Sequence, residues 1–277
     1  MPEGAEDDAP AARLLGAEFP AWDDPGVDWE AYDRVVLRSV WDYSRRLDEF
    51  LAWCERVGPE RLRNPPALVA FNSDKRYLGQ LAAPHVPTTF VAPGDPLPAL
   101  DGEFVVKPNI SAGARDTGRF HGDEAAERDA AAALIERIHA AGKVALVQPY
   151  LAGIEEHGET ALVFLGGGLS HVLHKHPVLR CRGIAPLAPG ELAVAAIMLD
   201  DDLVVAGSAD PDQEALARRI VAEIGEKFGT PLYARVDLVR EDSGAPVLLE
   251  LEATEPALYL ATAPGSAERF AAAVRAS

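Results

Sequence analysis

Charged residues interrupt two apolar runs between positions 231 and 256, and they do so at alternate positions. In the first run, alanine, valine and leucine alternate with Arg235 and Asp237. In the second run, leucine alternates with Glu250 and Glu252. Because successive side chains of a strand point to opposite faces, the apolar residues share one face and the charged residues the other. The pattern predicts two strands, each with one core face and one charged face.

The segment that joins these strands, EDSGAP at 241–246, has the composition of a turn and predicts a β-hairpin. We expect Arg240 to pair with Val247 across this turn. The resulting register places Asp237 opposite Glu250. A slip of one residue would place Asp237 opposite a leucine that faces the core, which burial of that leucine disfavours.

The expected register sets the carboxylates of Asp237 and Glu250 opposite each other, and carboxylates that face each other directly repel. A cation between them would relieve this repulsion. The same register places Arg235 opposite Glu252. Mg²⁺ typically binds one or two carboxylates together with substrate phosphates, so the pattern favours a magnesium site. The alternative is a solvated strand face on which Arg235 bridges the acids.

A strand followed by a loop of small residues, EFVVKPNISAGARDTG at 103–118, is the second candidate for chemistry. The backbone N–H groups of Ser111, Ala112 and Gly113 suit a polyphosphate, and Lys107 would neutralise its charge. The segment matches neither a Walker A sequence nor a GxGxxG motif before a helix. A generic surface loop is the alternative.

The rest of the chain alternates between helical and strand patterns, which is typical of an α/β fold. Beyond the hairpin, the predicted strands are 34–39, 88–92, 103–108, 143–151, 159–165 and 169–177, and the predicted helices are 5–17, 47–58, 73–82, 123–141 and 211–228. Ser73 is the predicted cap of the third helix, and 64–72 has a loop-like composition. We expect three lobes, at 1–70, 71–147 and 148–277.

The N-terminal lobe shows no opening strand before its first predicted helix. A parallel strand at 34–39 needs a partner, and a βαβ unit would supply one upstream. We therefore expect either a chain that starts late, which would leave 34–39 with an unpaired edge, or a sheet with an unusual edge.

Composition narrows the class of protein and of partner. The 277 residues include 44 acidic and 26 basic side chains, and the formal charge of −18 repels nucleic acid and anionic membranes. Cys54 and Cys181 are too few for a disulfide scaffold, and the acidic N-terminus is unlike a signal peptide. No apolar run reaches the roughly 20 residues that span a bilayer. We predict a soluble, cytoplasmic protein, with homo-oligomerisation left open.

Over roughly residues 70–260 the chain resembles the ATP-grasp superfamily, namely its glutathione-synthetase-like and D-alanine–D-alanine-ligase-like members. The resemblance depends most on Arg235-x-Asp237, which Glu250-x-Glu252 follows thirteen residues later. It implies an ATP-grasp fold, with an N-terminal α/β lobe, a central lobe and a C-terminal catalytic lobe. It also implies that Asp237, Glu250 and Glu252 bind Mg²⁺, although Glu252 replaces the usual Asn. Arg235 and Lys175 would act on the transferring phosphate, the alternative for Lys175 being a surface position.

The same resemblance implies a set of nucleotide-binding residues, with ATP between the last two lobes. Lys75 and Lys107 match its two nucleotide lysines, and 109–117 matches its phosphate-covering loop. The remaining residues that it assigns to ATP are Ser111, Gln148, Tyr150, Leu151 and Glu159. Glu155 and Glu156 are rivals of Glu159 for the ribose.

The segment RSVWDY at 38–43 resembles a subgroup of small ATP-grasp enzymes that includes cycloserine synthetase. Arg38 ends a strand, where α/β sheets bind ligands, and its fork suits a carboxylate. Trp41 and Tyr43 are candidates for substrate contact or for the core. Arg182 is a candidate for substrate contact or for the surface.

Three histidines at positions 171, 174 and 176 allow a zinc site as an alternative use of their strand. Two of them share a strand face, but no further cysteine or histidine lies at ligand spacing. We therefore do not predict zinc.

The function that the resemblance implies is an ATP- and Mg²⁺-dependent carbon–nitrogen ligase. A small carboxylate substrate, such as an amino acid or its derivative, would become an acyl phosphate that an amine attacks, or it would cyclise as in cycloserine synthetase. Substrate choice would depend on the N-terminal lobe and on the irregular segment 183–210. The alternative is a nucleotide-binding regulatory protein of the same fold without ligase turnover.

Overall fold

In a computed structural model that describes residues 6–188 and 195–277, the chain forms an α/β fold around two five-stranded sheets. The described helices are α1 Ala9–Leu15, α2 Leu47–Val57, α3 Pro66–Asn72, α4 Ala125–Ala140, α5 Gly153–His157, α6 Pro211–Phe228 and α7 Ser266–Ala276. The described strands are β1 Val35–Val36, β2 Leu62–Arg63, β3 Thr89–Val91, β4 Glu103–Pro108, β5 Gly118–His121, β6 Ala145–Pro149, β7 Glu159–Leu165, β8 Gly168–Lys175, β9 Gly183–Ile184, β10 Val204–Gly207, β11 Tyr233–Arg240 and β12 Pro246–Glu252.

The C-terminal sheet is antiparallel, in the order β10-β8-β7-β11-β12, and carries helices on both faces. On one face, α6 packs through residues such as Ile220 against Val236, in the core that the alternation of β11 predicts. On the other face, α7 packs through Phe270 against Tyr233. Further along β11, this second face carries Arg235 and Asp237 instead of apolar side chains. The structure therefore confirms the predicted apolar and charged faces of β11, and the charged groups lie beyond the part of the strand that α7 covers.

The β11–β12 hairpin has the predicted partners at its charged end, but a different register at its turn. Arg240 pairs with Pro246 rather than with Val247, so the expected pairing is wrong at this end. A β-bulge next to Asp237 leaves Leu249 without a direct partner in β11. Such a bulge opposes two residues to one and so corrects a one-residue offset.

Beyond the bulge, Asp237 lies opposite Glu250 and Arg235 opposite Glu252, as expected. The bulge also changes the faces to which Leu248 and Leu249 point, compared with a regular strand. Leu248 is fully buried in the core with α6, whereas Leu249 lines a cavity between the sheets. Burial of Leu248 thus coexists with opposed carboxylates only because the strand is irregular here.

The central sheet has the order β3-β6-β4-β5-β9, and its ladders are antiparallel. Helix α4 covers one face through residues such as Leu134 and Ile135, packed against Phe104 and Val106. The predicted loop 109–117 after β4 leads directly into strand β5, which pairs with β4 on one side and with β9 on the other. The lobe boundaries at 70 and 147 remain predictions.

The N-terminal part differs most from the sequence expectations. The predicted strand 34–39 is only two residues long, and it pairs in parallel with β2. The predicted loop 64–72 is helix α3, for which Pro66 supplies a favourable first position. The predicted helix 73–82 is a 3₁₀ helix at Lys75–Gln80, and Asp74 rather than Ser73 caps it. The local sequence does not fix the type or the length of such short elements, because tertiary packing supplies most of their stability.

Two expectations concern segments that the structure describes in part. The predicted helix 5–17 is α1 preceded by a 3₁₀ turn at Glu6–Asp8, and residue 5 lies outside the described residues. Within the segment 183–210, residues 189–194 also lie outside them. No helix in the described parts of the chain is long and apolar enough to cross a membrane.

Candidate active site

A cavity of about 700 Å³ lies between the two five-stranded sheets and extends to the N-terminal lobe. Strands β4 and β6 contribute to one wall, and strands β7, β8, β11 and β12 to the opposite wall. The predicted site residues that line it are Trp41, Tyr43, Lys75, Lys107, Ser111, Gln148, Tyr150, Leu151, Glu159, Lys175, Arg235, Glu250 and Glu252. The fold therefore brings most of the predicted site to one place, although their roles remain predictions.

Asp237 lies behind the cavity wall and is only 1% exposed. Arg235 Nε donates to its Oδ1 at 2.8 Å, and Lys175 Nζ donates to its Oδ2 at 2.8 Å. Burial opposes the charge of Asp237, but these two cations outweigh burial and hold the pKa of the carboxyl below its usual range. Despite its own burial, Lys175 has a pKa above its usual range, because Asp237 and Glu159 surround it. This cluster is therefore ionised and tightly positioned.

Arg235 connects the two acidic strands of the hairpin. Its second terminal nitrogen donates to Glu252 at 2.5 Å, and its first donates to the carbonyl oxygen of Ala257 at 2.9 Å. Arg235 thus bridges two acids, as the alternative interpretation of the hairpin supposes, but the side chain is 4% exposed rather than solvated. A buried guanidinium with its donors fixed by carboxylates and a carbonyl keeps a defined orientation.

A second cluster surrounds Glu250 at the cavity surface. Lys75 Nζ lies 3.2 Å from its Oε1, and Lys107 Nζ lies 4.0 Å from its Oε2. Lys75 also donates to the carbonyl oxygen of Ser111 at 3.0 Å, which ties the loop of small residues to the lysines. Burial disfavours the charge of Glu250, but the two lysines hold its pKa below the usual range. Burial also lowers the pKa of Lys107, despite the neighbouring Glu250.

The predicted magnesium ligands have side-chain cations as partners in this structure. Among the described residues, no group of three or more His, Cys, Asp or Glu side chains is arranged to hold a metal. Glu250 and Glu252 nevertheless both line the cavity, and Mg²⁺ commonly takes one or two carboxylates and completes its sphere with phosphates. Burial and the negative charges of Asp237 and Glu250 raise the pKa of Glu252, although Arg235 opposes this. The donor set therefore fits a phosphate-bound Mg²⁺.

The strand end at 148–151, which the resemblance assigns to ATP, has a stacked cation beside it. The guanidinium of Arg119 lies 3.6 Å from the ring centre of Tyr150 and donates to Glu103 and Glu155. Gln148 donates to Thr88 at 2.8 Å and is buried. This part of the cavity presents a flat aromatic wall that already has fixed hydrogen bonds, which suits a planar base.

The loop after β4 contacts the N-terminal lobe and not solvent alone. Arg115 donates to Ser44 Oγ at 2.8 Å, and Lys143 Nζ donates to the carbonyl oxygens of Ser44 and Ile110. Ser111, Ala112 and Gly113 line the cavity. The loop therefore lies over the cavity with its small residues inward.

Two predicted substrate residues do not line the cavity. Arg38 donates to the buried Asp8 at 2.9 Å and to the carbonyl oxygen of Pro256 at 2.6 Å. Arg182 pairs on the surface with Glu103 at 2.8 Å and is 40% exposed. The structure thus corrects the expected position of Arg38, and for Arg182 it agrees with the surface alternative. Carboxylates that are remote in sequence bind both guanidinium groups.

Trp41 and Tyr43 do line the cavity, and Tyr43 also belongs to the aromatic core of the N-terminal lobe with Phe50. The core and the substrate alternatives are therefore compatible for Tyr43. The histidines have other partners, since His171 Nε2 hydrogen-bonds the carbonyl of Leu258 and His174 Nε2 accepts from the backbone of Ser208.

Sequence reasoning missed three acids that line the cavity, Glu6, Asp7 and Glu255. Burial, followed by repulsion from Glu252, raises the pKa of Glu255 to about 8, although Arg38 opposes the shift. The only local signal is a charged residue within the otherwise apolar stretch that follows β12. Nothing in the sequence indicates that the N-terminal lobe covers it.

Glu255 should make stability depend on pH. Its ordinary pKa is 4.5 and its folded pKa is about 8, so folding favours the protonated form. The stabilisation is therefore complete below pH 4.5 and is lost as the pH rises through 8. We expect the free energy of unfolding to fall between pH 5 and pH 8 more steeply in the wild type than in Glu255→Gln, by at most about 1.4 kcal/mol per pH unit. Urea titrations at several pH values measure this, and parallel profiles would contradict the assignment.

Comparison with known proteins gives matches over nearly the whole chain. Residues 2–64 match the family model described as D-cycloserine synthetase DcsG, N-terminal domain. The cycloserine biosynthesis protein DcsG of Streptomyces lavendulae is 38% identical over an alignment of 283 positions, which covers 95% of this chain and 90% of that protein. The crystal structure of D-cycloserine synthetase DcsG superposes with a TM-score of 0.81 at 37% identity, over 97% of this chain and 92% of that one.

More distant structures share the fold alone. The D-alanine–D-alanine ligase of Bacillus anthracis superposes with a TM-score of 0.61 at 12% identity, over 100% of this chain and 93% of that one. A RimK domain protein ATP-grasp from Sphaerobacter thermophilus superposes with a TM-score of 0.52 at 17% identity, over 83% of this chain and 75% of that one. The fold is therefore ATP-grasp-like and resembles that of the D-alanine–D-alanine ligase, as the hairpin motif implies.

Proposed function

Since the chain belongs to the family of the cycloserine biosynthesis protein DcsG, we propose that it is an ATP-dependent ligase of secondary metabolism that closes a ring within a small amino-acid derivative. The observation that carries the proposal is the cavity itself, in which Lys75, Lys107 and Arg235 line the same space as Glu250 and Glu252. Cations beside carboxylates suit a nucleotide triphosphate with its metal.

In the proposed reaction, a carboxylate oxygen of the substrate attacks the γ-phosphorus of ATP, and the bond to the β-phosphate oxygen breaks to release ADP. A nitrogen of the same molecule then attacks the acyl phosphate carbon. Phosphate leaves with the bonding electrons, and the proton of the nitrogen passes to phosphate or solvent. The product contains a new ring amide, as cycloserine does.

The chain's own residues contribute position and charge to this reaction. Lys75 and Lys107 would hold the phosphates against Ser111 in the loop, and Arg235 would face the transferring group from its fixed position above Asp237. Lys175 would hold Asp237 and Glu159 in place through its hydrogen bonds to both. Mg²⁺, bound through Glu250 and Glu252, would neutralise phosphate charge.

The test is release of ADP and phosphate in the presence of Mg²⁺ and a panel of serine derivatives that carry nitrogen on the side-chain oxygen, in D and L forms. We expect stimulated release with at least one of them, and a product ring detectable by mass spectrometry. Lys107→Met should abolish the release, whereas Arg219→Met, which removes an exposed cation of α6, should not. Binding of ATP without release by any amine-bearing carboxylate would favour the regulatory alternative.

A further inference from the structure

Among the described residues, one part of the cavity lining carries acids but no lysine or arginine. We call this part the acidic wall; it consists of the lining residues within 6–7, 41–43 and 254–262. Its charged members are Glu6, Asp7 and Glu255, and its aromatic members include Tyr43 and Tyr259. The walls formed by β4, β8 and β11 contribute lysines and an arginine instead. The strands also contribute Glu159, Glu250 and Glu252, so the acidic wall differs from the rest of the described lining in its lack of lysine and arginine.

Glu255 is an unpartnered buried acid in this wall. It is 9% exposed, and within the described parts of the chain its carboxylate makes no hydrogen bond or ion pair. The cations that influence it are already paired. Arg38 binds Asp8, and Arg235 binds Asp237. A buried carboxylate without a partner is costly, and a protein that retains one usually has a use for it.

Asp7 offers a second free acceptor in the same wall. Its Oδ1 accepts the backbone N–H of Ala261 at 2.9 Å, which fixes the carboxylate next to the 254–262 segment. Its Oδ2 is buried and has no hydrogen-bond partner among the described residues. Two independent carboxylates thus present unsatisfied oxygen atoms along one wall.

We propose that the acidic wall binds an ammonium group of the substrate, with Glu255 as its counter-ion and Asp7 as a further acceptor. The proposal rests on the proposed function and assigns the residues that select a substrate with a free primary amine. Glu255 is largely protonated at neutral pH when no cation lies beside it, since its pKa is about 8, and a bound ammonium would favour its ionised form. The rings of Tyr43 and Tyr259 favour an organic cation at this position.

An ammonium suits the wall better than a divalent metal. Metal ions of this kind take six or more oxygen ligands, and the described residues hold no group of three or more acids and histidines arranged for one. An ammonium has three N–H donors, so a few acceptors satisfy it, whereas a divalent metal requires a full sphere of oxygen ligands. The positions of the charged side chains also set the orientation of a bound amino acid, since its carboxylate would point to Lys75 and Arg235 and its ammonium to Glu255.

The experiment compares D-cycloserine with isoxazolidin-3-one, the same ring without the amine, by calorimetry on the protein with ADP and Mg²⁺. We expect Glu255→Gln to weaken binding of D-cycloserine at least tenfold and to leave binding of the amine-free ring unchanged. Asp7→Asn should have a smaller effect in the same direction. Glu268→Gln, which removes one exposed acid of α7, is the matched control and should bind as the wild type does.

The same variants are assayed for turnover with the best substrate of the ADP assay and with its N-acetyl derivative. Glu255→Gln should raise KM for the amine substrate and leave KM for ATP unchanged. Equal binding of the two rings by the wild type, failure of D-cycloserine to bind, or Mg²⁺ binding that Glu255→Gln removes would overturn the ammonium site. Glu255-dependent binding of D-cycloserine without any stimulated ADP release would instead overturn the ring-closing function and leave the ammonium site standing.

Discussion

Replacement of Glu250 by Gln should reduce turnover by about 10²–10³-fold and leave the free energy of unfolding nearly unchanged. Glu250 lies at the cavity surface, where Lys75 and Lys107 approach its two oxygens at 3.2 and 4.0 Å. Its side chain is 27% exposed, so water can replace the lost partner of the lysines. The proposed roles of Glu250 in binding Mg²⁺ and in fixing Lys75 require its charge, and Gln retains only its shape.

The measurement is ADP release at saturating ATP, together with urea denaturation of the same samples. Glu226→Gln, an exposed acid on α6, provides the matched control and should behave as the wild type does. Near-normal turnover of Glu250→Gln would contradict the metal assignment. Loss of turnover accompanied by an equal loss of stability would assign Glu250 to structure instead of chemistry.

Replacement of Asp237 by Asn should lower the free energy of unfolding by about 3–5 kcal/mol, in addition to abolishing turnover. Asp237 is 1% exposed and is the shared partner of Arg235 and Lys175, at 2.8 Å from each. Removal of its charge leaves two buried cations with less compensation, which is the costly way to break a buried ion pair. Burial is the reason for this loss of stability, since the same substitution in an exposed cleft would leave the fold intact.

A double variant separates this electrostatic cause from a general loss of packing. Lys175→Met in the Asp237→Asn background removes one of the stranded cations and should recover part of the lost stability. Denaturation midpoints of the single and double variants measure the coupling. An unchanged midpoint in Asp237→Asn, or strictly additive losses in the double variant, would contradict the buried network.

Local pattern and chemistry were sufficient to predict the charged hairpin. The period of two in β11 and β12 assigns Arg235 and Asp237 to one face and the apolar residues to the other, because strand geometry leaves no other choice. The opposition of Asp237 to Glu250 follows from the need to bury leucines. Lys107 and the small-residue loop were also identifiable, because phosphate recognition restricts residue types strongly, whereas Lys75 and Lys175 followed only from the family resemblance.

The chain by itself thus determined the α/β class, the charged hairpin and the family resemblance, because each depends on periodicity or on a short motif. Only the tertiary structure decided what long-range packing controls. It added a bulge at Leu249, so that the turn and the charged end of the hairpin have different registers. It paired Arg38 with Asp8, thirty positions away, and so removed Arg38 from the cavity lining. It also buried Glu255 without a partner, because burial and charge pairing depend on which segments meet in space and not on their neighbours in sequence.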